Sequence, residues 1–306
     1  MLSVLIAAAA VAAVPMTAPG PQGPLEGTLL DAGPHAPIVL IVPGSGPTDR
    51  DGNNPVGVTA SPYRLLAEAL AAKGVSSVRI DKRGMFGSKA AVADPNSVTI
   101  SDYATDTHKW VAAIRQKTGA PCVWVLGHSE GALVALAAAQ QPDGICGVIV
   151  ASGAGRKLSD VIREQLRSNP ANAPVLDSAM AGLDSLDHGQ HVDITNLNPA
   201  LLPLFRPQVQ DFLIDMFRQD PAKLAASLKV PLLIVQGERD VQVSIADAQA
   251  LAGAQPKAKL ALIPRMNHVL KDVDSDDRNA NLATYLDPSL AVDPTAVAAI
   301  VEFVKP

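Results

Sequence analysis

A serine lies at the centre of a GHSEG motif, residues 127–131, which follows a buried apolar run and precedes an Ala/Leu-rich stretch. A strand, a G-x-S-x-G turn and a helix in this order form a nucleophile elbow, whose strained turn exposes the serine hydroxyl above a sheet. Gly127 and Gly131 are needed because neighbouring segments pack where a Cβ would clash. The motif therefore predicts Ser129 as a nucleophile.

A serine hydroxyl becomes a good nucleophile only when a base accepts its proton and an acid holds that base. Folds with a nucleophile elbow carry these groups in the chain order Ser, then Asp or Glu, then His. Of the six histidines, only His268 follows the last predicted strands, so it is the expected base. Asp240, just after the preceding strand, is the expected acid. Asp247 lies inside the next helix and Glu238 lies too close to the strand, so both are weaker alternatives.

The oxyanion that forms during the attack needs backbone N–H donors already in position, each worth about 3 kcal/mol. The N–H group of Glu130, next to the nucleophile, is one expected donor. The second is expected from residues 43–47 (PGSGP), with Ser45 preferred and Gly46 as the alternative. The side chain of Glu130 is expected to bond nearby backbone or an arginine rather than to take part in the chemistry.

Short β-branched runs alternate with helical stretches, which is typical of a mostly parallel sheet covered by helices on both faces. The predicted strands are residues 38–42, 75–80, 122–126, 148–151, 232–235 and 260–263. The predicted helices are residues 63–72, 101–117 (with Ser101 as the N-cap and Gly119 as the stop), 248–251 and 295–304.

The alternation breaks once, between residues 153 and 222, where only helical segments such as 158–167 and 208–218 are found. A compact fold rarely carries a plain loop of that length, so this segment is predicted to be a helical cap inserted into the core. The core is then residues 24–152 and 223–306.

Residues 2–14 (LSVLIAAAAVAAV) have the length of a signal-peptide core, and Ala12, Ala13 and Ala18 are candidate cleavage positions. No Lys or Arg precedes Arg50, so the amino terminus supplies the only positive charge there, and a short helix is the alternative. Residues 1–23 are expected to be a signal peptide and a Pro/Gly-rich tail without regular structure. The protein is then periplasmic or secreted, and it is cytoplasmic if the apolar segment is not a signal.

The composition excludes several classes of protein. With 306 residues, 48% of them apolar, the chain can bury a sizeable core. A net charge of −5 without a basic block disfavours nucleic acid and anionic membrane surfaces. No apolar run reaches the ~20 residues of a membrane span. A small-molecule substrate is the expected partner, and nothing in the sequence indicates an oligomeric state.

Neither a metal nor a cofactor is predicted. His188 and His191 have no third ligand near them in the sequence. Gly153 and Gly155 follow a strand but lack the rest of a dinucleotide-binding fingerprint.

Cys122 and Cys146 open the elbow strand and the strand that follows it. Parallel neighbours lie about 4.8 Å apart, so the two residues can lie side by side if those strands pair. A disulfide would agree with export. The sequence does not show which way either side chain faces, so a disulfide and two free thiols remain alternatives.

These features resemble the α/β-hydrolase superfamily, and more narrowly the bacterial carboxylesterases with GHSEG elbows. The loop at residues 43–53 (PGSGPTDRDGN) is similar to the oxyanion loop of those esterases. Residues 80–88 are similar to the family's structural D-x-R-G-x-G-x-S turn, although Met85 and Phe86 make the spacing one residue unusual. Residues 204–210 and 267–271 also resemble that group.

The resemblance implies an α/β-hydrolase fold with a helical cap, and hydrolysis of short acyl esters without a metal or cofactor. A serine aminopeptidase or an acyl-thioester hydrolase on the same fold is the alternative, because one framework hosts many activities. A non-catalytic binding module would usually have lost a member of the triad, whereas Ser129, Asp240 and His268 are all present.

Overall fold

Eight strands form one sheet in the computed structural model, which describes residues 12–305. The strands are β1 (Ala13–Pro19), β2 (Pro24–Leu30), β3 (Ile38–Val42), β4 (Ser76–Ile80), β5 (Val123–His128), β6 (Ile145–Ala151), β7 (Leu232–Gly237) and β8 (Lys259–Ile263). Their order across the sheet is β1-β2-β4-β3-β5-β6-β7-β8. β2 pairs antiparallel with both β1 and β4, and the remaining neighbouring strands pair in parallel. The mostly parallel α/β fold predicted from the sequence is confirmed.

Helices cover both faces of this sheet. They are α1 (Pro62–Ala72), α2 (Ile100–Thr118), α3 (Glu130–Ala138), α4 (Leu158–Ser168), α5 (Leu176–Asp187), α6 (Leu202–Phe205), α7 (Pro207–Phe217), α8 (Pro221–Ala226), α9 (Ile245–Ala254), α10 (Arg278–Ala283) and α11 (Pro294–Val304). Side chains of β3 alternate between the faces: Leu40 packs in the cluster beneath α2 and α3, and Ile41 packs beneath α1 and α11. Because both faces are buried, the central strands are continuously apolar.

The predicted helix at residues 101–117 begins earlier than expected. α2 starts at Ile100, and its N-cap is Thr99 rather than Ser101. The Thr99 hydroxyl accepts a hydrogen bond from the N–H group of Asp102, and the Asp102 carboxylate accepts one from the N–H group of Thr99. These two reciprocal bonds form a capping box. Gly119 ends the helix in the left-handed conformation, as predicted.

The expectation that residues 15–23 lack regular structure is wrong. β1 pairs antiparallel with β2 from Ala13 opposite Leu30 to Pro19 opposite Pro24, and it buries Met16 and Ala18. β1 is an edge strand, where a proline without an N–H group is tolerated, so a Pro-rich composition does not exclude a strand. The predicted signal-peptide segment, up to residue 11, lies outside the described residues.

Only helices are found between β6 and β7 in the structure, where the cap was predicted. α4 and α7 correspond to the two predicted helical segments, and α5, which the sequence analysis missed, packs against both. No helix within residues 12–305 is long and apolar enough to cross a membrane.

Cys122 and Cys146 form a disulfide, with their Cα atoms 5.2 Å apart. β5 and β6 are parallel neighbours, as the argument for this bond required. The disulfide lies at the amino ends of these strands beside a cavity of about 550 Å³. The candidate site lies at the opposite, carboxyl ends.

Candidate active site

Ser129 occupies a sharp turn between β5 and α3. Its backbone has φ 53° and ψ −121°, a conformation that L-residues rarely adopt. A Cβ on Gly127 would collide with the backbone oxygen of Gly131, and a Cβ on Gly131 would collide with that of Val42. The two glycines therefore let the strand, the turn and the helix pack closely enough to hold Ser129 in this strained conformation.

The carboxylate of Asp240 and the imidazole of His268 are hydrogen-bonded, with Oδ2 2.8 Å from Nδ1. The Asp240 side chain is fully buried, and its Oδ1 accepts from the N–H groups of Gln242 at 2.8 Å and Val243 at 2.9 Å. Because an ionised carboxylate only accepts, Nδ1 of His268 carries a proton, and Nε2 of the neutral ring is left with a lone pair.

The electrostatic environment keeps Asp240 ionised. Burial alone would raise the pKa of its carboxyl. The charge of His268 and the hydrogen bonds from His268, Val243 and Gln242 oppose this effect, and the pKa lies below its usual value.

The two alternative acids lie elsewhere. Glu238 is exposed at the end of β7. The carboxylate of Asp247 is fully buried but accepts from Arg156 Nε at 3.0 Å, Ser244 Oγ at 2.7 Å and the N–H group of Gly155 at 3.1 Å. Asp247 therefore fastens α9 to the segment that enters the cap, away from His268.

The loop after β3 passes directly over Ser129. A Cβ added at Gly44 would lie 3.2 Å from the Cβ of Ser129. Within residues 12–305, the backbone N–H groups of Ser45, Gly46 and Glu130 donate to no protein acceptor. All three residues line a cavity of about 420 Å³ together with Ser129 and His268, so their N–H groups are available to a ligand there.

A hydrogen-bonded chain that the sequence analysis missed links this loop to the histidine loop. The N–H group of Gly44 donates to Tyr63 Oη at 3.0 Å, and Tyr63 Oη lies 2.8 Å from His128 Nδ1. His128 Nε2 lies 2.7 Å from the backbone oxygen of His268. A carbonyl oxygen only accepts, so Nε2 of His128 carries the proton and Nδ1 accepts from the Tyr63 hydroxyl.

Burial, and then the charge of His268, lower the pKa of His128 to about 3, so its ring is neutral at ordinary pH. The only signal in the sequence was a histidine directly before Ser129, the predicted nucleophile. Nothing there identified Tyr63 as its partner.

The Glu130 side chain pairs with Lys82, not with backbone or an arginine as expected. Lys82 Nζ lies 2.8 Å from Glu130 Oε1 and 2.7 Å from the backbone oxygen of Gly44. Both side chains are only 2% exposed. Lys82 stands inside the D-x-R-G turn after β4, and the sequence analysis had assigned it no role.

The same turn is tied to the loop after β3 through Asp81. Its carboxylate accepts from the N–H group of Arg50 at 2.8 Å, from Arg50 Nε at 2.9 Å and from the N–H group of Gly87 at 3.1 Å. The D-x-R-G turn therefore supports the loop that covers Ser129.

The cavity walls are mostly apolar and come largely from the cap. They include Leu158, Val161, Phe212, Leu213 and Met216. Among the residues that line this cavity, Glu130 is the only carboxylate. No three His, Cys, Asp or Glu side chains in the described part of the chain are grouped as metal ligands.

Comparison with known proteins agrees with this architecture. The family model Hydrolase_4, described as serine aminopeptidase, S33, matches residues 56–274. Esterase EstD of Thermotoga maritima is 28% identical over 242 residues, which are 76% of this chain and 54% of EstD. The chain thus spans about half the length of that relative.

Two solved structures share the fold at low sequence identity. Est1E from Butyrivibrio proteoclasticus has a TM-score of 0.59 at 18% identity, covering 95% of this chain and 99% of Est1E. Proline iminopeptidase of Mycobacterium smegmatis has a TM-score of 0.58 at 17% identity, covering 95% and 97% of the two chains. With its α/β-hydrolase fold and a family match across most of its length, the chain belongs to the serine aminopeptidase S33 family.

Proposed function

We propose that this protein is a serine carboxylesterase that hydrolyses small acyl esters. One observation carries the proposal: an elbow serine and a histidine bonded to a buried aspartate line the same, largely apolar cavity. Such a cavity suits an acyl chain, which gains free energy by leaving water. The 28% identical relative bears the name esterase, which supports the same activity.

In the first half of the reaction, Ser129 Oγ attacks the ester carbonyl carbon while Nε2 of His268 accepts its proton. Asp240 holds the imidazole in the required tautomer and stabilises the imidazolium that forms. The N–H groups of Ser45 and Glu130 bind the oxyanion of the tetrahedral intermediate. The carbon–oxygen bond to the alcohol then breaks, and His268 gives its proton to the departing alkoxide oxygen.

In the second half, a water molecule enters beside His268 and attacks the acyl-enzyme carbonyl while Nε2 accepts one of its protons. The second tetrahedral intermediate uses the same two N–H donors. It collapses to the carboxylic acid, and His268 returns the proton to Ser129 Oγ. This step regenerates the free enzyme.

The alternative activity of an aminopeptidase needs a carboxylate free to hold the substrate ammonium group. Glu130, the only carboxylate among the cavity-lining residues, is already bonded to Lys82. This pairing favours uncharged acyl groups over amino-acyl groups in the same site.

We also propose that the protein is exported. The apolar residues 2–14 and the Cys122–Cys146 disulfide support an oxidising compartment. Cleavage near Ala13 would leave most of β1 in the sheet, whereas cleavage at Ala18 would remove most of it. Cell fractionation with mass measurement of the recovered protein tests this. Recovery of the intact chain from the cytoplasm alone contradicts export.

The activity is tested with one purified sample against esters of increasing acyl length, matched thioesters and aminoacyl amides. We expect the esters to be hydrolysed fastest, and a fluorophosphonate to label Ser129 alone. Ser129→Ala should lower kcat by several orders of magnitude, because no other group replaces the nucleophile. Ser227→Ala is the matched control: this exposed serine lies directly after α8 and does not line the cavity, so the variant should retain full turnover. Full turnover by Ser129→Ala, or amide hydrolysis faster than ester hydrolysis, contradicts the proposal.

A further inference from the structure

We propose that the buried Lys82–Glu130 ion pair positions both backbone donors of the oxyanion hole. The inference rests on the ester hydrolysis proposed above and assigns Lys82 and Glu130 a role as positioning residues. It also selects Ser45 over Gly46 as the donor from the loop after β3.

The first contact of Lys82 orients the backbone N–H group of Ser45. Lys82 Nζ donates to the backbone oxygen of Gly44 at 2.7 Å. The Gly44 carbonyl and the Ser45 N–H group belong to one planar trans peptide, so they point in opposite directions. Holding the oxygen on Lys82 therefore fixes the direction of the Ser45 N–H group. An ammonium on the oxygen also polarises the peptide and strengthens its N–H group as a donor.

The second contact of Lys82 holds Glu130, the residue that carries the other donor. This residue begins α3, and its free backbone N–H group stands next to Ser129. Its side chain is held by Lys82 Nζ at 2.8 Å, across 48 positions of the chain. The Lys82 ammonium is thus bonded both to the carbonyl oxygen of the Gly44–Ser45 peptide and to the side chain of Glu130. The positions of the two donor residues are therefore linked through one ammonium group.

Two donors of the Lys82 ammonium go to Gly44 and Glu130, and the ring of Tyr103 lies 5.1 Å from Nζ, within range of a cation–π contact. Lys82 also neutralises the carboxylate of Glu130, the residue that directly follows Ser129. Without this pairing, the carboxylate would repel the oxyanion. In a buried setting, such a repulsion is weakly screened.

The test compares Lys82→Met with the double variant Lys82→Met/Glu130→Gln and with Glu130→Gln. We expect Lys82→Met to lower kcat about 10- to 100-fold with little change in KM, because removal of a whole oxyanion donor lowers it by about 10²–10³. The double variant should recover part of this loss, since it removes the unpaired carboxylate but not the missing contact to Gly44. Glu130→Gln keeps an acceptor for Lys82 and should show the smallest effect.

A second readout separates positioning from folding. A trifluoromethyl ketone adds to Ser129 and places a hemiketal oxyanion in the hole. Its affinity should fall by the same factor as kcat/KM across the variants, because both report stabilisation of the oxyanion. Titration of active sites with a fluorophosphonate corrects every rate for the folded fraction. Replacing a buried ion pair by uncharged residues often leaves stability unchanged, so the double variant is expected to fold.

Arg156→Met/Asp247→Asn is the matched control. The carboxylate of this ion pair is also buried, with Nε 3.0 Å from Oδ1, but the pair bonds neither Gly44 nor Glu130 and does not line the cavity. We expect it to lose stability while kcat and ketone affinity per folded site remain unchanged. Unchanged kcat and ketone affinity in both Lys82 variants overturn the inference. Failure of the proposed function looks different, because the wild-type protein itself would then neither turn over esters nor react with the ketone at Ser129.

Discussion

His128 donates a hydrogen bond from Nε2 to the backbone oxygen of His268, over 2.7 Å. The residue directly before the elbow serine therefore holds the backbone of the histidine that the mechanism uses as its base. On its other side, His128 accepts from Tyr63, which in turn binds the N–H group of Gly44. One neutral imidazole thus connects the loop after β3, the elbow and the loop after β8.

This arrangement predicts a pH-dependent stability. The pKa of His128 is lowered to about 3, against about 6.5 in an unfolded chain. Between these values the unfolded state binds a proton that the folded state does not. The free energy of unfolding therefore falls as the pH drops below 6.5, by up to about 1.4 kcal/mol per pH unit from this residue. Above pH 6.5 the contribution is constant.

Urea unfolding at pH 6.5 and pH 5.0 measures the effect. His128→Asn removes the titrating ring, so the wild-type protein should lose up to about 2 kcal/mol more than the variant over this interval. Other acidic and histidine groups act in both proteins and largely cancel in the difference. Parallel pH profiles for the two proteins would show that folding does not lower the pKa of His128.

Substitution of Asp240 should lower turnover, whereas substitution of Asp247 should lower the stability of the fold. Asp240→Asn is expected to lower kcat by about 10⁴-fold, because an amide favours the wrong tautomer of His268. Asp247→Asn weakens the buried bonds to Arg156, Ser244 and Gly155, so we expect a loss of about 1–3 kcal/mol of stability with kcat largely retained. Steady-state kinetics and urea unfolding of both variants check this. The reverse pattern would assign the acid to Asp247.

The disulfide should stabilise the fold without affecting the chemistry. Cys122 and Cys146 are 24 positions apart, and closing a loop of that length stabilises by about 3 kcal/mol. Reduction should lower the free energy of unfolding by that amount and leave kcat at 25 °C unchanged, because the bond lies at the opposite end of the sheet from Ser129. Cys122→Ser/Cys146→Ser should have the lower stability from the outset and should not respond to reductant. Two free thiols in the denatured, unreduced protein would refute the bond.

The cap should set acyl-chain preference through Phe212. Its ring lines the cavity and packs edge-on against Tyr103, with centroids 6.1 Å apart. Phe212→Ala should raise the ratio of kcat/KM for octanoyl over butyryl esters by about 10-fold, the scale expected for a few methylene groups in an apolar pocket. Phe303→Leu is the control, because Phe303 packs against Trp124 on the other face of the sheet and away from this cavity. An unchanged ratio in Phe212→Ala would place the acyl group elsewhere.

Local sequence was sufficient for the features that depend on neighbouring residues. Gly127 is required by a collision within the five-residue motif, with the backbone oxygen of Gly131, whereas the collision that requires Gly131 is with Val42 of β3. Asp240 and His268 were selected by chain order, since the carboxyl ends of parallel strands meet at one edge of a sheet. The structure brings these two side chains within 2.8 Å of each other.

Only the tertiary structure decided which distant side chains meet. Lys82 reaches Glu130 across 48 positions, and Tyr63 reaches His128 across 65, so neither contact leaves a periodic or spaced pattern in the sequence. β1 was hidden because an edge strand needs backbone pairing on one side only, which its Pro-rich composition permits. Motifs of contiguous residues, and the chain order of the candidate serine, acid and histidine, could therefore be read from the sequence alone. The contacts that hold the loops of the site depend on sheet register and helix packing, and these exist only once the whole chain has folded.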